Sequence, residues 1–286
     1  MAKFDLHLHS NYSDGSDSVF ELFQNIKKSG IEIFALTDHD TVAGCKEMEN
    51  LVISAIKFIP GVELTCHSNG LSCHILGYNC DYNNVTLLKL IEKGKVLRKQ
   101  KLETRINYLK EIHGIVLTDE EKAWLYSRTS VVKTHIANIL VQRGLAVDNV
   151  SAMQKYLDGC KTGKTKFEIP EGIEAIKLSG GIPVWAHPLG GEGEEHIPQE
   201  EFLPKLAKMT NYGIEGLECY YSRYNENESE FLVKSANKHK LLITGGSDYH
   251  GTNKNIPMGR LDSNGRYIDS SLISPIDKLC LCKLST

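Results

Sequence analysis

"KFDLHLHSNYSDGSD", residues 3–17, decides how the rest of the chain is read. His7 and His9 stand two apart in an apolar run, and Asp14 follows beside a glycine. In an extended strand the side chains at i and i+2 leave the same face, so both imidazoles face one point in space. Taken alone, the spacing also fits a strand with two chance histidines, and the remainder of the sequence has to discriminate.

It does so by repeating the device. Near the other end, "GGSDYHG" (245–251) sets Asp248 and His250 two apart just after an apolar run. Between them lie His39 in "LTDHD", Glu63 in "PGVEL", His74 in "CHILGY" and His187 in "WAHP", each in or just after a predicted strand. If the strands run parallel in a barrel, these ends gather on one face, where such folds build their sites. Six of the eleven histidines and three carboxylates would then share one cleft. Divalent cations would offset the cost of desolvating so many polar groups. Nine ligands suffice for two or three metals, three being the preferred number, and an imidazole and carboxylate set without thiolate suits Mn, Fe or Zn.

The surrounding pattern alternates short β-branched runs with amphipathic helices, the rhythm of βα units. Strands are predicted at "KFDLHLHS", "IEIFALTDHD" and "KFIPGVELTC", with "LSCHILGYNC" as an extended return. Helices are predicted at "SVFELFQNIKKSG", ending at Gly30, and at "VAGCKEMENLVISA". Residues 84 to about 168 carry helical patterns without a strand signal, which predicts an inserted helical subdomain. The barrel then comprises 1–83 and 169–286, the beat resuming with "IPVWAHP", "GIEGLECYY" and "KLLITGGSDYHG" and helices over 199–211 and 225–239. The Gly-rich "LGGEGEEHIP" (189–198) reads as a mobile loop rather than a phosphate cradle, because its acidic residues would repel phosphate.

Composition is consistent with this. At 286 residues, 41% hydrophobic and 24% charged, the chain has ordinary globular values and room for one barrel-sized domain or two smaller ones. A net charge of -3 gives no basic field for a long nucleic acid, while small anions stay open because metals reverse the local sign. The start lacks the regions of a signal peptide and no apolar run reaches membrane-spanning length, so a cytoplasmic protein with no membrane partner is expected. The eight cysteines are mostly single and read as buried thiols, and Cys280 with Cys282 forms a CxC rather than a CxxC. Cys66, His67, Cys73 and His74 offer an alternative tetrahedral zinc set, at the cost of His74's place among the nine.

With the HxH, "SDGS", "TDHD", "PGVE", "HILGY", "AHP" and "GSDYHG" in this order from residue 3 to about 262, the chain resembles the PHP superfamily, named for polymerase and histidinol phosphatase domains. Within it the sequence is similar to stand-alone metal-dependent phosphoesterases that include nucleoside monophosphate phosphatases and a short-RNA exonuclease. The resemblance implies an α/β fold, a distorted (β/α)7 TIM-like barrel with a trinuclear site. By the family pattern one metal takes His7, His9, Glu63 and Asp248, a second shares Glu63 and adds His74 and His187, and a third takes Asp14, His39 and His250.

The expected reaction is hydrolysis of phosphate monoesters of small nucleotides, a 5'-monophosphate or 3',5'-bisphosphate, by a metal-bridging hydroxide. Alternatives are 5'-3' exonuclease action on short RNA and a non-catalytic metal-binding module. Arg223 in "LECYYSRY" follows a predicted strand and is the candidate cation for phosphate. Asp40 is a candidate to orient a ligand or protonate the leaving group, or else caps the helix before "TVAGCKE". Asp38, one residue before His39, is expected to point away from it and support a ligand from behind. "SRTSVVKTHIANILVQRG" resembles the family's "RPHIA" element, with Lys133 and Thr134 in place of Arg and Pro and His135 kept, which makes Lys133 and His135 candidate substrate contacts. Residues 92–111 hold seven Lys or Arg against three Glu, and read as a solvated helix face ahead of an RNA patch. Among Tyr220, Tyr221 and Tyr224, one is a candidate to stack on a base.

Overall fold

The computed structural model describes residues 3–53, 55–162, 166–192 and 194–279. The Cys280 and Cys282 reading therefore lies outside the described residues. Seven strands form one sheet in chain order: β1 Phe4–Leu8, β2 Ile33–Leu36, β3 Lys57–Ser68, β4 Leu71–Tyr78, β5 Ile182–Trp185, β6 Gly216–Tyr221 and β7 Leu242–Gly246. The sheet curls until its edges meet, with His9 N–H donating to the Tyr249 carbonyl at 3.0 Å and Asp248 N–H to that of His7 at 2.9 Å. A nearly closed α/β barrel results, as the sequence rhythm implies.

One strand breaks the parallel order. β4 runs antiparallel to both β3 and β5, joined to β3 by a two-residue turn at Asn69 and Gly70, both at positive φ, the signature of a tight hairpin. No helix separates β3 from β4. Because β4 runs the other way, His74 reaches the mouth from the first half of its strand rather than from a strand end. The pairing also removes the cysteine alternative. Cys66 faces Cys73 and Thr65 faces His74 across the ladder, so strand alternation sends the two thiols to one side and His74 to the other. Both thiols are buried in the apolar core, and among the described residues no cysteine joins a cluster of metal-ligand type.

Helices cover the barrel. Helix α1, Val19–Ser29, starts at a reciprocal cap between Ser18 and Glu21 and packs Leu22, Phe23 and Ile26 against β1 and β2 together with α2, Ala43–Leu51. The capping alternative for Asp40 fails here, since the α2 cap position is Val42 and the Ala43 N–H is met by the Thr41 hydroxyl. Around β3–β6 pack α7 Ile169–Leu178, α8 Gln199–Tyr212 and α9 Glu226–His239.

The stretch between β4 and α7 is helical, as its pattern predicts: α3 Val85–His113, α4 Asp119–Ser127, α5 Lys133–Gln142 and α6 Asn149–Tyr156. The long α3 serves two cores. Leu87, Leu90 and Ile91 join the barrel's outer core, whereas Leu102, Ile106 and Leu109 join a separate core built with α4, α5 and α6. Between the two lies Gly94, where a Cβ would stand 2.5 Å from the Phe167 ring, so only glycine lets the helix pass at this distance. A short helix α10, Ile276–Leu279, follows late in the chain, and Leu279 packs with residues of β1–β5. Among the described residues no helix is long and apolar enough to cross a membrane.

Candidate metal centre

All nine side chains singled out by spacing meet at the barrel mouth. His7 and His9 leave β1 on the same face, and the Nε2 atom of each lies 3.2 Å from Glu63 Oε2. His39 Nδ1 is 3.1 Å from the same oxygen. The other oxygen, Oε1, has His74 Nδ1 at 3.0 Å and His187 Nε2 at 3.2 Å. One carboxylate in the middle of β3 is thus shared by five imidazoles. Asp248 Oδ1 stands 3.5 Å from His7 and 3.3 Å from His9, and Asp14 Oδ1 stands 3.1 Å from His250 Nε2. Atoms of metal-ligand type converge in the groups His7, His9, Glu63, Asp248; His9, Asp14, His39, His250; His39, Glu63, His74; and His74, His187, Glu194.

Of these contacts His187 Nε2 to Glu63 Oε1 is a hydrogen bond, while most of the others are close without being aligned as one. His7 Nε2, His9 Nε2, His39 Nδ1, His250 Nε2, Asp14 Oδ1 and Glu63 Oε2 are buried without a hydrogen-bond partner among the described residues. Orphaned buried polar atoms are costly, and six of them pointing inward together fit a cation held among them. The donor set, imidazole and carboxylate, suits the same class of ion. Asp40, His187 and Asp248 also hold left-handed backbone, at φ 50, 28 and 60, which costs about 1–3 kcal/mol each and concentrates at functional sites.

Charge in the nest is balanced pair by pair. Burial pushes Glu63, Asp14 and Asp248 upward, yet His39 and His7 hold Glu63, His250 and His39 hold Asp14, and Lys254 and His250 hold Asp248 well below the usual carboxylate range. Burial disfavours the charged His7, but Glu218, Glu63 and Asp248 outweigh it and raise the ring well above its ordinary value. The same contest raises His9 to about 9, through Asp248 and Glu63, and His187 to about 10, through Glu194 and Glu63. Metal entering this nest must displace protons, so its binding weakens as pH falls.

A supporting layer fixes these rings, and the sequence reading missed most of it. Glu218, fully buried in β6, takes His7 Nδ1 at 2.9 Å with one oxygen and the His187 backbone N–H at 2.8 Å with the other. Its only signal was a charged residue inside the apolar "GLECYY". Asp38, anticipated as a support, accepts from Ser10 N–H and from the hydroxyls of Ser10 and Ser13, bracing the turn that delivers Asp14. Gly15 completes that turn where a Cβ would lie 2.5 Å from the His9 carbonyl oxygen. The Tyr221 hydroxyl at 3.0 Å and Lys254 Nζ at 2.8 Å both donate to Asp248 Oδ2, which leaves Oδ1 facing the histidines. Tyr221 and Tyr224 are buried, so packing occupies them. Glu194, from the acidic loop, reaches His187 Nδ1 at 3.4 Å, and with Glu192 and Lys254 it lines a cavity shared with His39, Glu63, His74, His187 and Asp248.

Carboxylates that take the far nitrogen of a ligand histidine set its tautomer and orientation. Glu218→Ala should therefore cost about 10–100-fold in metal affinity or activity. Metal content by mass spectrometry and kcat/KM measure it, and an unchanged pair of values would deny Glu218 that role.

The remaining residues named from sequence lie around the nest. Asp40 pairs with the Arg98 guanidinium and accepts from Thr65 N–H at 2.7 Å, so the insert is tied to the residue beside His39. His135 is buried with its Nδ1 accepting from Val132 N–H at 3.0 Å, and burial lowers it to about 4 although Asp14 acts in the opposite sense. Lys133 pairs with Asp158 inside the insert. Arg223 donates to the Gly191 carbonyl at 2.6 Å and lines a neighbouring pocket with Glu194 and His196. The basic run of α3 is not a plain solvated face. Arg98 is buried, and burial beside Arg98, Arg105 and Lys166 pulls Lys101 down to about 7.

A barrel whose mouth gathers nine imidazole and carboxylate side chains able to hold metal belongs with the metal-dependent phosphoesterases, a class of hydrolase. The chain belongs to the PHP domain family, whose model matches residues 5–176. It is 33% identical over 254 residues to a 5'-3' exoribonuclease of Haemophilus influenzae, covering 87% of this chain and 90% of that one. It is 27% identical to a 3',5'-nucleoside bisphosphate phosphatase of Chromobacterium violaceum, covering 87% and 88%. Among solved structures, a protein of Bifidobacterium adolescentis with a proposed metal-dependent phosphoesterase activity is 25% identical with a TM-score of 0.79, covering 94% of this chain and 98% of that one.

Proposed function

We propose that the chain hydrolyses phosphate monoesters of small nucleotides, a nucleoside 5'-monophosphate or 3',5'-bisphosphate, with two or three divalent ions, Mn, Fe or Zn. The observation that carries this is Glu63, whose two oxygens meet five imidazoles over orphaned buried nitrogens. In this reading His7, His9, Glu63 and Asp248 hold one ion, Glu63, His74 and His187 a second, and Asp14, His39 and His250 a third. Such ions, when bound, activate water and neutralise charge building on the phosphoryl oxygens.

The chain's own residues do the rest. Glu218 and Glu194 hold the rings of His7 and His187 from behind, and Tyr221 keeps Asp248 aimed at the centre. Lys254, whose ammonium lines the cavity, is placed to bind a phosphoryl oxygen, while Arg223 braces the 190–196 loop from one step away. His135, buried in the insert and near enough to Asp14 for their charges to interact, is placed to meet the substrate on that side. Asp40, committed to Arg98, positions His39. Among the described residues six cysteines are free thiols, which suits work in the reducing cytoplasm.

A second reading, exonucleolytic removal of nucleotides from the 5' end of short RNA, draws on the Haemophilus influenzae relative. The test is a panel of nucleoside 5'-monophosphates, 3',5'-bisphosphates and 5'-phosphorylated short RNA, each with Mn and the purified protein. Higher kcat/KM on mononucleotides or bisphosphates supports the proposal, and preference for RNA replaces it with the second reading. Absence of turnover on every ester would leave a metal-binding module.

A further inference from the structure

The cavity over the metal nest, about 50 Å³, is lined by five of the nine ligands together with Gly191, Glu192, Glu194 and Lys254. Space of that size takes a few waters or one phosphoryl group, so whatever is bonded to the phosphorus leaves across the rim those four residues make. The rim is tied to β6 and the turn after it. The Tyr221 hydroxyl accepts from Glu192 N–H at 3.2 Å while donating to Asp248 Oδ2 at 3.0 Å, and the Arg223 guanidinium donates to the Gly191 carbonyl at 2.6 Å. Residues of "CYYSRY" thereby set the backbone of Glu192 beside a candidate metal ligand. The rim is also acidic. Glu194 meets His187 Nδ1 at 3.4 Å, and Lys254, the one lysine or arginine lining the cavity among the described residues, stands 2.8 Å from Asp248 Oδ2 and 3.9 Å from Glu192. Two rim carboxylates thus face one ammonium that Asp248 already shares. The neighbouring pocket adds no surplus cation, because Arg223 and His196 are matched there by Glu194 and Glu228, with His196 3.0 Å from Glu228.

We propose that Glu192 is a specificity-determining residue that rejects substrates whose leaving group is itself a phosphate, so that the centre takes phosphate esters of alcohols over phosphoanhydrides such as nucleoside diphosphates. In either reaction the oxygen of water joins phosphorus, the bond to the leaving oxygen breaks, and a proton from water ends on the leaving group or in solvent. The two differ in the charge that crosses the rim. An alcohol brings none before the bond breaks, whereas the second phosphate of an anhydride brings its negative charge against Glu192 while Lys254 is engaged by Asp248. Discrimination of this kind comes from repulsion built against the wrong substrate. A 3',5'-bisphosphate keeps its second phosphate several bonds away and escapes it. The inference rests on the phosphoesterase reading and narrows its substrates by leaving group.

The test compares kcat/KM on p-nitrophenyl phosphate and on ADP, with Mn in excess and conversion of ADP to AMP followed by chromatography, for wild type, Glu192→Gln and Glu192→Asp. Comparing the ester-to-anhydride ratio between proteins cancels the intrinsic reactivity of the two substrates. Wild type should favour the ester. Glu192→Gln, nearly the same shape without the charge, should narrow that preference about tenfold through faster ADP hydrolysis, with p-nitrophenyl phosphate turnover as in wild type. Glu192→Asp, which keeps the charge, should keep the preference. Wild type that hydrolyses ADP as well as the ester, a ratio that Glu192→Gln leaves unchanged, or a ratio that Glu192→Asp narrows as far as Glu192→Gln does, would overturn the role of Glu192 and leave the phosphoesterase reading intact. Wild type inactive on p-nitrophenyl phosphate would instead strike that reading.

Discussion

Glu63→Gln is expected to lower phosphate-ester hydrolysis by about a thousandfold or more, a loss of several kcal/mol in transition-state stabilisation, while the chain stays folded. The change is nearly isosteric, so packing around β3 survives. Chemically it is severe. The carboxylate presents Oε2 to His7, His9 and His39 and Oε1 to His74 and His187, and an amide offers neither the charge nor a second acceptor. Burial makes replacement by solvent unworkable, since Glu63 is 1% exposed. kcat/KM on the best phosphate ester of the panel, paired with the thermal midpoint by circular dichroism, measures it. Activity within tenfold of wild type would mean that Glu63 is not shared by the ions.

Arg98→Ala should be the most damaging change outside the nest, costing about 3–5 kcal/mol of stability, the usual effect of stranding one member of a buried ion pair. The stranded group is Asp40, which is buried and sits in left-handed backbone beside His39. Losing Arg98 also unties α3 from β3, because the guanidinium donates to the Thr65 hydroxyl at 3.3 Å and to the Val131 carbonyl at 3.3 Å. Urea unfolding checks the single variant, and a cycle with Asp40→Ala checks its cause. The double variant should be less destabilised than the sum of the two singles. A cost below about 1 kcal/mol for Arg98→Ala would show that the pair holds nothing together.

The nest was legible in the sequence because strand alternation has a fixed period. Two histidines two apart in an apolar run, and an Asp and His two apart after another, leave few geometries once both runs are strands. The helical character of the stretch between β4 and α7 was legible for a similar reason, about eighty residues of helical period without a strand signal. What stayed hidden depended on pairing partners. The return of β4 along β3 was anticipated, with Asn69 and Gly70 carrying the hairpin signal, but its second antiparallel ladder, with β5, was not. Arg98 looked like one cation in a solvated stretch because its partner is 58 residues away, and only the docking of α3 on the mouth buries it. Lys254 and Glu194 sit in irregular segments where no periodicity says which way a side chain faces, yet Lys254 reaches Asp248 and Glu194 reaches His187. The sequence reading placed Arg223 correctly after β6 but did not foresee the loop carbonyl that holds it.

If these nine side chains hold the ions that hydrolysis needs, activity must follow metal content. The most direct test follows p-nitrophenyl phosphate hydrolysis as chelated protein is titrated with Mn, with bound metal counted by mass spectrometry. Chelated protein should be inactive, and turnover should return in step with two or three ions per chain. Full activity in the chelated protein, with no bound metal found, would contradict it.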